Sequence, residues 1–530
     1  MIETHKRSSS YCARFAVSLV LFAVLLATWS PSASAAAPRI SSLNPDRGPV
    51  GTTVFILGSN FGPPTELSVV LFNGVPAETP PERWLDNLIV TSVPEGATTG
   101  PVVVQTPQGT SNGVNFTVLQ PNQRWYLAEG STGWGFETFV LIENTEDVDA
   151  TVNITYNTQQ YGRIPRPNAI TVPASSRVTL NVNEDFGGVG VDVSTVVNSS
   201  GPVVCERSMY WGDRVEGHDS IGVMQPGKVW YLAEGCTRYP FETWLLIGNP
   251  GNTDANVDVS YMTSRGNFQK SRFTLGAGMR YTIDVSKDVG ECDVSAMVTA
   301  DQDVVCERAM YWNERRGGHD SIGVTEASKT WYLAEGTTAW GFETWLLIQN
   351  PGDQTATVNV TYMTPYGPKE EPALTMPPRS RSTLRVNDKV KNMDTSIEVQ
   401  SDKAVIAERS MYWDNGTGVA GHNTVGMVEP AGVIYLAEGS TAWGFETFVC
   451  LQNPNHEQVD VGVTYMTNDG AVKGGDWAVP PGGRVTIYMN NQLPNKDASI
   501  RLVCAKPIMA ERPMYWNARG GGHVSIGWAP

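Results

Sequence analysis

The sequence predicts an all-β protein, with an N-terminal β-sandwich followed by four tandem β-sandwich repeats in an extended or curved array. A phrase reading WYLAEG or IYLAEG returns four times, and its tyrosines Tyr126, Tyr231, Tyr332 and Tyr435 lie 105, 101 and 103 residues apart. Between these phrases, short stretches alternate apolar and polar residues and end in turn residues, a pattern typical of half-buried strands. Because repetition at a fixed period defines structural units, the motifs are compared repeat by repeat.

The first 35 residues have the pattern of a signal peptide. Three basic residues precede an apolar stretch of 14 residues, Phe15 to Thr28, and small residues follow up to Ala35. The apolar stretch is too short to cross a bilayer comfortably, so cleavage after Ala35 is expected and an uncleaved anchor is the alternative. This predicts a secreted or cell-surface protein with no membrane-spanning segment after cleavage.

The chain is strongly acidic, with a net charge of −16. Removing residues 1–35 removes three basic residues and one acidic residue, which leaves −18. Such a field repels nucleic acid and keeps an exported protein soluble. We therefore expect no nucleic-acid partner.

Six cysteines remain after the signal segment, an even number that permits disulfides in an exported protein. They are Cys205, Cys236, Cys292, Cys306, Cys450 and Cys504. Six cysteines allow 15 pairings, among which the sequence does not choose. No two of them form a CxxC pair, so no zinc site and no other metal site is expected.

Residues 38–118 form a unit of their own, with short strands separated by turn signals as in a sandwich. Its opening motif consists of Pro45, Gly48, Pro49, Gly51, Thr52, Val54, Ile56, Gly58, Asn60 and Phe61. These residues, together with the later GPVVV and FTV strands, resemble an IPT/TIG domain. The resemblance implies an immunoglobulin-like fold that serves as a spacer or an interaction module.

Four repeats follow, at residues 124–228, 229–329, 330–432 and 433–530. In the third strand of the first repeat, Val152, Ile154 and Tyr156 face one way and the polar residues between them face the other. About seven such strands in 100 residues predict a sandwich. A propeller is the alternative, but its blades usually have about 40–50 residues. The AEG, FET and ER-MYW phrases also resemble repeats of unknown activity in exported bacterial proteins.

Each repeat carries two glutamates in fixed phrases and one Glu-Arg pair on the sixth strand. The recurring residues are Glu129, Glu234, Glu335 and Glu438 of AEG; Glu137, Glu242, Glu343 and Glu446 of FET; and Arg207, Arg308, Arg409 and Arg512 of the strand. Paired carboxylates can hydrolyse glycosides, but four active sites in tandem would be unusual. Because a buried arginine needs a carboxylate partner, we interpret these residues as structural ion pairs.

Histidines and tryptophans are the other recurring candidates. His218, His319, His422 and His523 follow glycine, and we expect each to bond to backbone in a turn. Trp134, Trp340 and Trp443 lie in the loop before FET, where the second repeat has Arg238-Tyr239-Pro240. A loop tryptophan can stack on a sugar ring or fold into the core, and burial is the more usual state of tryptophan.

The sequence thus favours an exported bacterial surface protein with a structural, adhesive or protein-interaction role. No nucleotide, metalloprotease or hydrolase motif is present, so we expect neither catalysis nor a cofactor. A carbohydrate-binding protein that uses the loop tryptophans is the first alternative, and an enzyme with a site between repeats is the second. The expected partner is a cell-surface or matrix protein or a polysaccharide.

Overall fold

The structure, a computed structural model, describes residues 36–48, 52–94, 96–118, 123–414 and 419–530. The predicted signal peptide therefore lies outside the described residues. The chain divides into two compact units, one ending at Pro121 and one beginning at Asn122. Both are built almost entirely from β-strands, as the sequence predicts.

The N-terminal unit is a two-sheet sandwich. Its strands are β1 (Arg39–Asn44), β2 (Arg47–Gly48), β3 (Thr53–Ser59), β4 (Val69–Phe72), β5 (Val75–Ala77), β6 (Leu88–Ser92), β7 (Gly100–Thr106), β8 (Gly109–Thr110) and β9 (Val114–Val118), with a 3-10 helix at Pro81–Arg83. One sheet has the order β1-β3-β6 and the other β2-β9-β7-β4-β5, with β8 paired to β7. Alternate side chains such as Val54, Ile56 and Phe72 form the core between the sheets.

The first repeat also has two sheets. Its strands are β10 (Gln123–Leu127), β11 (Glu137–Asn144), β12 (Ala150–Thr158), β13 (Gly162–Pro165), β14 (Ile170–Val172), β15 (Arg177–Asn181), β16 (Val193–Ser199), β17 (Val203–Trp211) and β18 (Glu216–Ile221), with one helical turn at Val182–Asp185. The outer sheet has the order β10-β16-β12-β13, with β14 on β12, and the inner sheet has the order β15-β11-β17-β18. Val152, Ile154 and Tyr156 of β12 are buried in the core, as their alternation predicts.

The other three repeats keep this strand order, except that one long strand replaces β16 and β17 and belongs to both sheets, and that in the fourth repeat a single strand also replaces β13 and β14. The second has β19 (Gly227–Leu232), β20 (Phe241–Gly248), β21 (Ala255–Thr263), β22 (Gly266–Gln269), β23 (Phe273–Leu275), β24 (Arg280–Asp284), β25 (Val294–Trp312) and β26 (Gly317–Ile322), with a helical turn at Ser286–Val289. The third has β27 (Ser328–Leu333), β28 (Phe342–Asn350), β29 (Ala356–Thr364), β30 (Gly367–Glu370), β31 (Leu374–Met376), β32 (Ser380–Arg385), β33 (Ser396–Asp414) and β34 (Val419–Val425), with a 3-10 helix at Val386–Asp388. The fourth has β35 (Ala431–Leu436), β36 (Glu446–Gln452), β37 (Val459–Thr467), β38 (Gly470–Val479), β39 (Arg484–Tyr488), β40 (Ser499–Trp516) and β41 (Gly521–Ile526), with a 3-10 helix at Met489–Asn491.

The four repeats close into a ring, which corrects the expected extended or curved array. The last strands of successive repeats, β18, β26, β34 and β41, contact one another in order, and β41 contacts β18. The physical reason is that both faces of each inner sheet carry apolar or ion-paired side chains. In an open row, the inner sheet of an end repeat would expose one of these faces to solvent. The inner strand β17, for example, is buried along its whole length.

Alternation along β17 explains how one strand serves two neighbours. The side chain of Arg207 points towards the second repeat, where it meets Glu307. The side chain of Glu206, one residue earlier, points to the opposite side and meets Arg512 of the fourth repeat. Because successive side chains of a strand face opposite ways, each Glu-Arg dipeptide joins the repeat before it to the repeat after it.

Candidate functional site: boundary pockets of the ring

The strand arginines lie in fully buried ion pairs at the boundaries between repeats. Arg207 is 2.8 Å from Glu307 and also bonds Asp320, both of the second repeat. Arg308 is 3.2 Å from Glu408, and Arg409 is 2.5 Å from Glu511. The AEG glutamates complete each cluster from the arginine's own repeat, as Glu335 does 3.1 Å from Arg409. The remaining AEG–arginine pairs are Glu129–Arg207, Glu234–Arg308 and Glu438–Arg512.

The other carboxylate oxygen of each strand glutamate accepts a backbone N–H of the preceding repeat. Oε1 of Glu307 accepts the N–H of Ala128 at 2.6 Å, and Oε1 of Glu206 accepts that of Ala437 at 2.8 Å. Burial nevertheless raises the pKa of Glu307, to about 7, because loss of solvent outweighs the attraction of Arg207. These contacts make the recurring ER phrase a joint between repeats.

The FET glutamates do not meet the strand arginines. Glu137 bonds Arg214, Glu343 bonds Arg385 and Glu446 bonds Arg519, all at the partly exposed surface. In the second repeat, Arg315 lies 3.8 Å from Glu242. The sequence shows that a glutamate recurs at FET, but the alternation of side chains along a strand does not identify the basic residue that bonds it.

The recurring histidines lie on buried strands and not in turns, contrary to expectation. Nε2 of His218 is 3.1 Å from the Tyr311 hydroxyl of the next repeat, and His523 faces Tyr210 of the first repeat at 3.2 Å. Burial lowers the pKa of His319, His422 and His523, so these rings stay neutral. The glycine before each histidine is explained by a tyrosine ring, which a Cβ at Gly217 would meet at 2.6 Å.

Two buried clusters bring together potential metal ligands, namely Glu129 with His218 and Asp320, and Asp219 with Glu438 and His523. Within each cluster the ligand atoms lie within 4.8 Å of one another. A guanidinium group already lies among these atoms, since Arg207 contacts Asp320 and Arg512 contacts Asp219. A metal ion would be repelled by that charge, and we assign both clusters to the ring interface.

The loop tryptophans are exposed. This corrects the expectation, based on the usual burial of tryptophan, that they fold into the core. Trp134 is 76%, Trp340 70% and Trp443 78% exposed. The signal for exposure was the glycine that follows each one. Trp134 and Gly135 have φ values of 50° and 83°, and the N–H of Phe136 bonds the carbonyl of Gly133 at 2.9 Å. Positive φ at both central residues defines a type I′ turn, which projects the indole from the surface.

Tryptophan is an unusual residue for that turn position, where Asn or Gly is strongly preferred. Trp340 and Trp443 repeat the conformation, with φ values of 54° and 50°. A bulky residue with positive φ is strained by roughly 1–2 kcal/mol, and such strain concentrates at functional sites. The strain therefore points to a role for these side chains outside folding.

Each exposed tryptophan lies beside a cavity at a boundary between repeats. Each cavity is named by the two repeats that form it, so that the 1/2 pocket lies between the first and the second repeat. The 1/2 pocket, next to Trp134, has a volume of about 450 Å³. The 3/4 pocket, next to Trp340, has about 510 Å³, and the 4/1 pocket, next to Trp443, has about 300 Å³. These volumes suit small-molecule or sugar-sized ligands.

The three pockets are lined by equivalent residues. Each combines the tryptophan, an aspartate and the AEG glutamate of one repeat with two arginines and a threonine of the next. The aspartates are Asp192, Asp394 and Asp497; the buried arginines are Arg280, Arg484 and Arg177; the threonines are Thr282, Thr486 and Thr179; and the wall arginines are Arg315, Arg519 and Arg214. The sequence shows an arginine at or near the start of the strand before the helical turn in every repeat, but its pattern assigns these residues no role.

The polar groups of the pockets are held in fixed positions. In the 3/4 pocket, Arg484 lies 3.0 Å from Asp394 across the boundary and donates to Thr486 at 2.9 Å. The guanidinium of Arg519 lies over the rings of Phe448 and Tyr515. Burial raises the pKa of Glu335, beneath the pocket, to about 7. Such a site presents an aromatic face with hydrogen-bond donors and acceptors already in place.

Family models match the chain in two places. Residues 38–123 match the model of the IPT/TIG domain. Residues 38–123 are an IPT/TIG domain. Residues 85–331 match the Family of unknown function (DUF5719), a range that overlaps the end of the IPT/TIG domain and covers the first two repeats. The resemblance of the repeats to those of other exported bacterial proteins stays a prediction.

Several solved structures are similar to parts of the chain. Thermotoga maritima 1070 is 22% identical, covers 19% of this chain and 96% of its own, and has a TM-score of 0.18. The Anabaena sensory rhodopsin transducer is 26% identical, covers 16% and 95%, and has a TM-score of 0.15. The surface glycan-binding protein PbSGBP-B of Prevotella bryantii is 9% identical, covers 70% and 98%, and has a TM-score of 0.17. These TM-scores are too low to transfer a function.

No curated protein matches the sequence. Among the described residues, no helix has the length and apolar composition needed to cross a bilayer. The six cysteines from Cys205 to Cys504 are all free, and none lies in a CxxC pair.

Proposed function

We propose that this protein is an exported, non-catalytic binding protein of the cell surface or matrix, and that its boundary pockets bind carbohydrate. The observation that carries the proposal is the exposure of Trp134, Trp340 and Trp443 beside three equivalent cavities. An indole face can stack on the apolar face of a sugar ring, and the arginines, aspartates and threonines beside it can bond to hydroxyl groups.

The ring supports this role because it is rigid. Four buried Glu-Arg joints fix the repeats relative to one another, so the two halves of each pocket are pre-organised. The IPT/TIG domain then serves as the spacer or interaction module that its family implies. Export is supported by the signal-peptide pattern of residues 1–35.

The test is retention on polysaccharides. Full-length mature protein is run through native gels containing soluble xylan, mixed-linkage β-glucan, galactomannan or polygalacturonate. The matched variant replaces Trp134, Trp340 and Trp443 with asparagine, which the type I′ turn prefers, so its melting temperature should be unchanged or higher. Retention of the native protein and its loss in the variant support the proposal, and free migration of the native protein in every gel would reject it.

A role in protein docking is the second candidate, and one observation favours it. On the outer face of the sheet β1-β3-β6, Phe55 is 44% and Leu57 42% exposed. On the neighbouring strand β6, Val90 lies opposite Phe55 and Leu88 lies opposite Leu57, and both extend the apolar surface. An exposed apolar sheet face is typical of a protein-interaction site. Its test is pull-down of surface proteins with the isolated 38–123 domain and with a Phe55→Ser, Leu57→Ser variant.

A further inference from the structure

The ring has four boundaries, but the 2/3 boundary differs from the others in several of its residues. Arg238 replaces the small residues Gly133, Ala339 and Ala442, and Tyr239 replaces tryptophan. In addition, the third repeat has no arginine between Trp413 and His422, where the other repeats have Arg214, Arg315 and Arg519.

Arg238 changes the charge balance of the 2/3 boundary. Its Nη2 donates to Asp293 at 2.6 Å, and Arg381 of the third repeat lies 3.9 Å from the same carboxylate. In the 3/4 pocket the corresponding Asp394 is engaged by a single arginine of the described residues, Arg484. The aspartate at the 2/3 boundary therefore serves a second arginine of its own repeat, and its oxygens are less available to a ligand.

The remaining three pockets follow one another without a gap around the ring, in the order 3/4, 4/1 and 1/2. Each is built from equivalent residues, so the rotation that carries one repeat onto the next also carries one pocket onto the next. All three consequently lie at the same height along the axis of the ring. A ligand with regularly repeated units can occupy more than one of them, whereas a single sugar cannot.

We infer that the ligand is a polysaccharide chain that contacts the 3/4, 4/1 and 1/2 pockets together and leaves the 2/3 boundary unoccupied. This inference rests on the carbohydrate-binding function proposed above. After one pocket is filled, a second binds at the high effective concentration set by the connecting chain, so the overall affinity exceeds that of one pocket by roughly 10²-fold or more. Three moderate sites then act as one strong site.

The test compares short and long ligands of the polysaccharide that retains the native protein. Titration calorimetry measures its purified tetrasaccharide and its polymer against the full-length mature protein. We expect three tetrasaccharides per chain, and a polymer dissociation constant at least ten-fold lower than that of the tetrasaccharide. A protein with only the 3/4 pocket intact, carrying Trp134→Asn and Trp443→Asn, should bind both ligands within about two-fold of each other.

The matched control is Tyr239→Asn at the 2/3 boundary, which should change neither the stoichiometry nor the polymer affinity. A tetrasaccharide stoichiometry of four, or a loss of polymer affinity in the Tyr239 variant, would overturn the assignment of three pockets. Equal tetrasaccharide and polymer affinities in the native protein would overturn joint occupancy while leaving carbohydrate binding intact. If no polysaccharide is bound at all, the proposed function fails and this inference fails with it.

Discussion

Arg512, 18 residues before Pro530, donates from Nη2 to Glu206 of the first repeat at 2.5 Å. The same guanidinium lies 2.7 Å from Asp219 of that repeat, and all three side chains are fully buried. The contact reproduces the pair that Arg207 of the first repeat forms with Glu307 of the second. The fourth boundary is thus formed by the same ion pair as the three covalently consecutive ones.

Substitution of Arg512 by alanine should destabilise the ring as much as Arg207→Ala, by about 3–5 kcal/mol, because each leaves buried carboxylates without their cation. Chemical unfolding of the full-length protein measures this. Arg272→Ala is the control, since Arg272 pairs with Asp258 at the exposed surface and its loss should change the free energy of unfolding far less. If Arg512→Ala behaved like the control while Arg207→Ala did not, the ring would be open in solution.

Glu143→Gln should stabilise the protein at pH 8 and have less effect at pH 5. Burial raises the pKa of Glu143 well above its ordinary value of 4.5. The folded state therefore keeps a proton that the unfolded chain loses, so this group's contribution to stability is complete below pH 4.5 and is lost as the pH rises through the folded pKa. A glutamine avoids the cost, as Gln349 shows by donating to the carbonyl of Ala296 at 3.1 Å.

The reverse substitution, Gln349→Glu, provides the matched variant for this prediction. It places a carboxyl group at the 2/3 boundary in the environment that Glu143 has at the 4/1 boundary. Urea unfolding at pH 5 and pH 8 should show a loss of stability that is larger at pH 8. Equal changes at the two pH values, in either variant, would show that these side chains do not titrate with folding.

The strands and their core residues could be predicted because alternation reports which side chains share a face, as for Val152 and Ile154. It does not report what covers the other face, and for that reason the partners of Arg207 in the second repeat were not foreseen. Ring closure is a property of the angle between repeats, which no residue encodes singly. The exposure of Trp134 was readable in principle from the Trp-Gly turn, but the average burial of tryptophan outweighed it.

Val524→Asn should stabilise the 3/4 boundary by about 1 kcal/mol, the usual net value of one hydrogen bond. Arg308 donates to Asn423 at 2.7 Å, whereas the equivalent position opposite Arg409 is Val524. Nη2 of Arg409 is buried and forms no hydrogen bond among the described residues, although Glu335 lies 3.1 Å away. Asn423→Val is the reciprocal variant and should lower stability. A loss of stability in Val524→Asn would show that packing of the valine side chain stabilises the boundary more than a hydrogen bond between Arg409 and an asparagine does.

Glu446→Gln should weaken ligand binding at the 3/4 pocket without weakening the fold. Oε2 of Glu446 accepts from Nε of Arg519 at 3.1 Å and helps to hold this guanidinium over the pocket wall. Because the pair is partly exposed, its loss should change the free energy of unfolding by less than about 1 kcal/mol. A guanidinium that is held less firmly over the wall, however, loses more conformational freedom when it bonds a sugar hydroxyl.

The measurement uses a protein in which Trp134→Asn and Trp443→Asn leave the 3/4 pocket as the single intact site. Titration with the tetrasaccharide should show a several-fold weaker affinity for Glu446→Gln. Glu343→Gln is the control, because Glu343 bonds Arg385 beside the 2/3 boundary and should leave the affinity unchanged. Equal affinities in the Glu446 and Glu343 variants would mean that Arg519 takes no part in binding, and the tryptophan and buried arginine would then account for recognition.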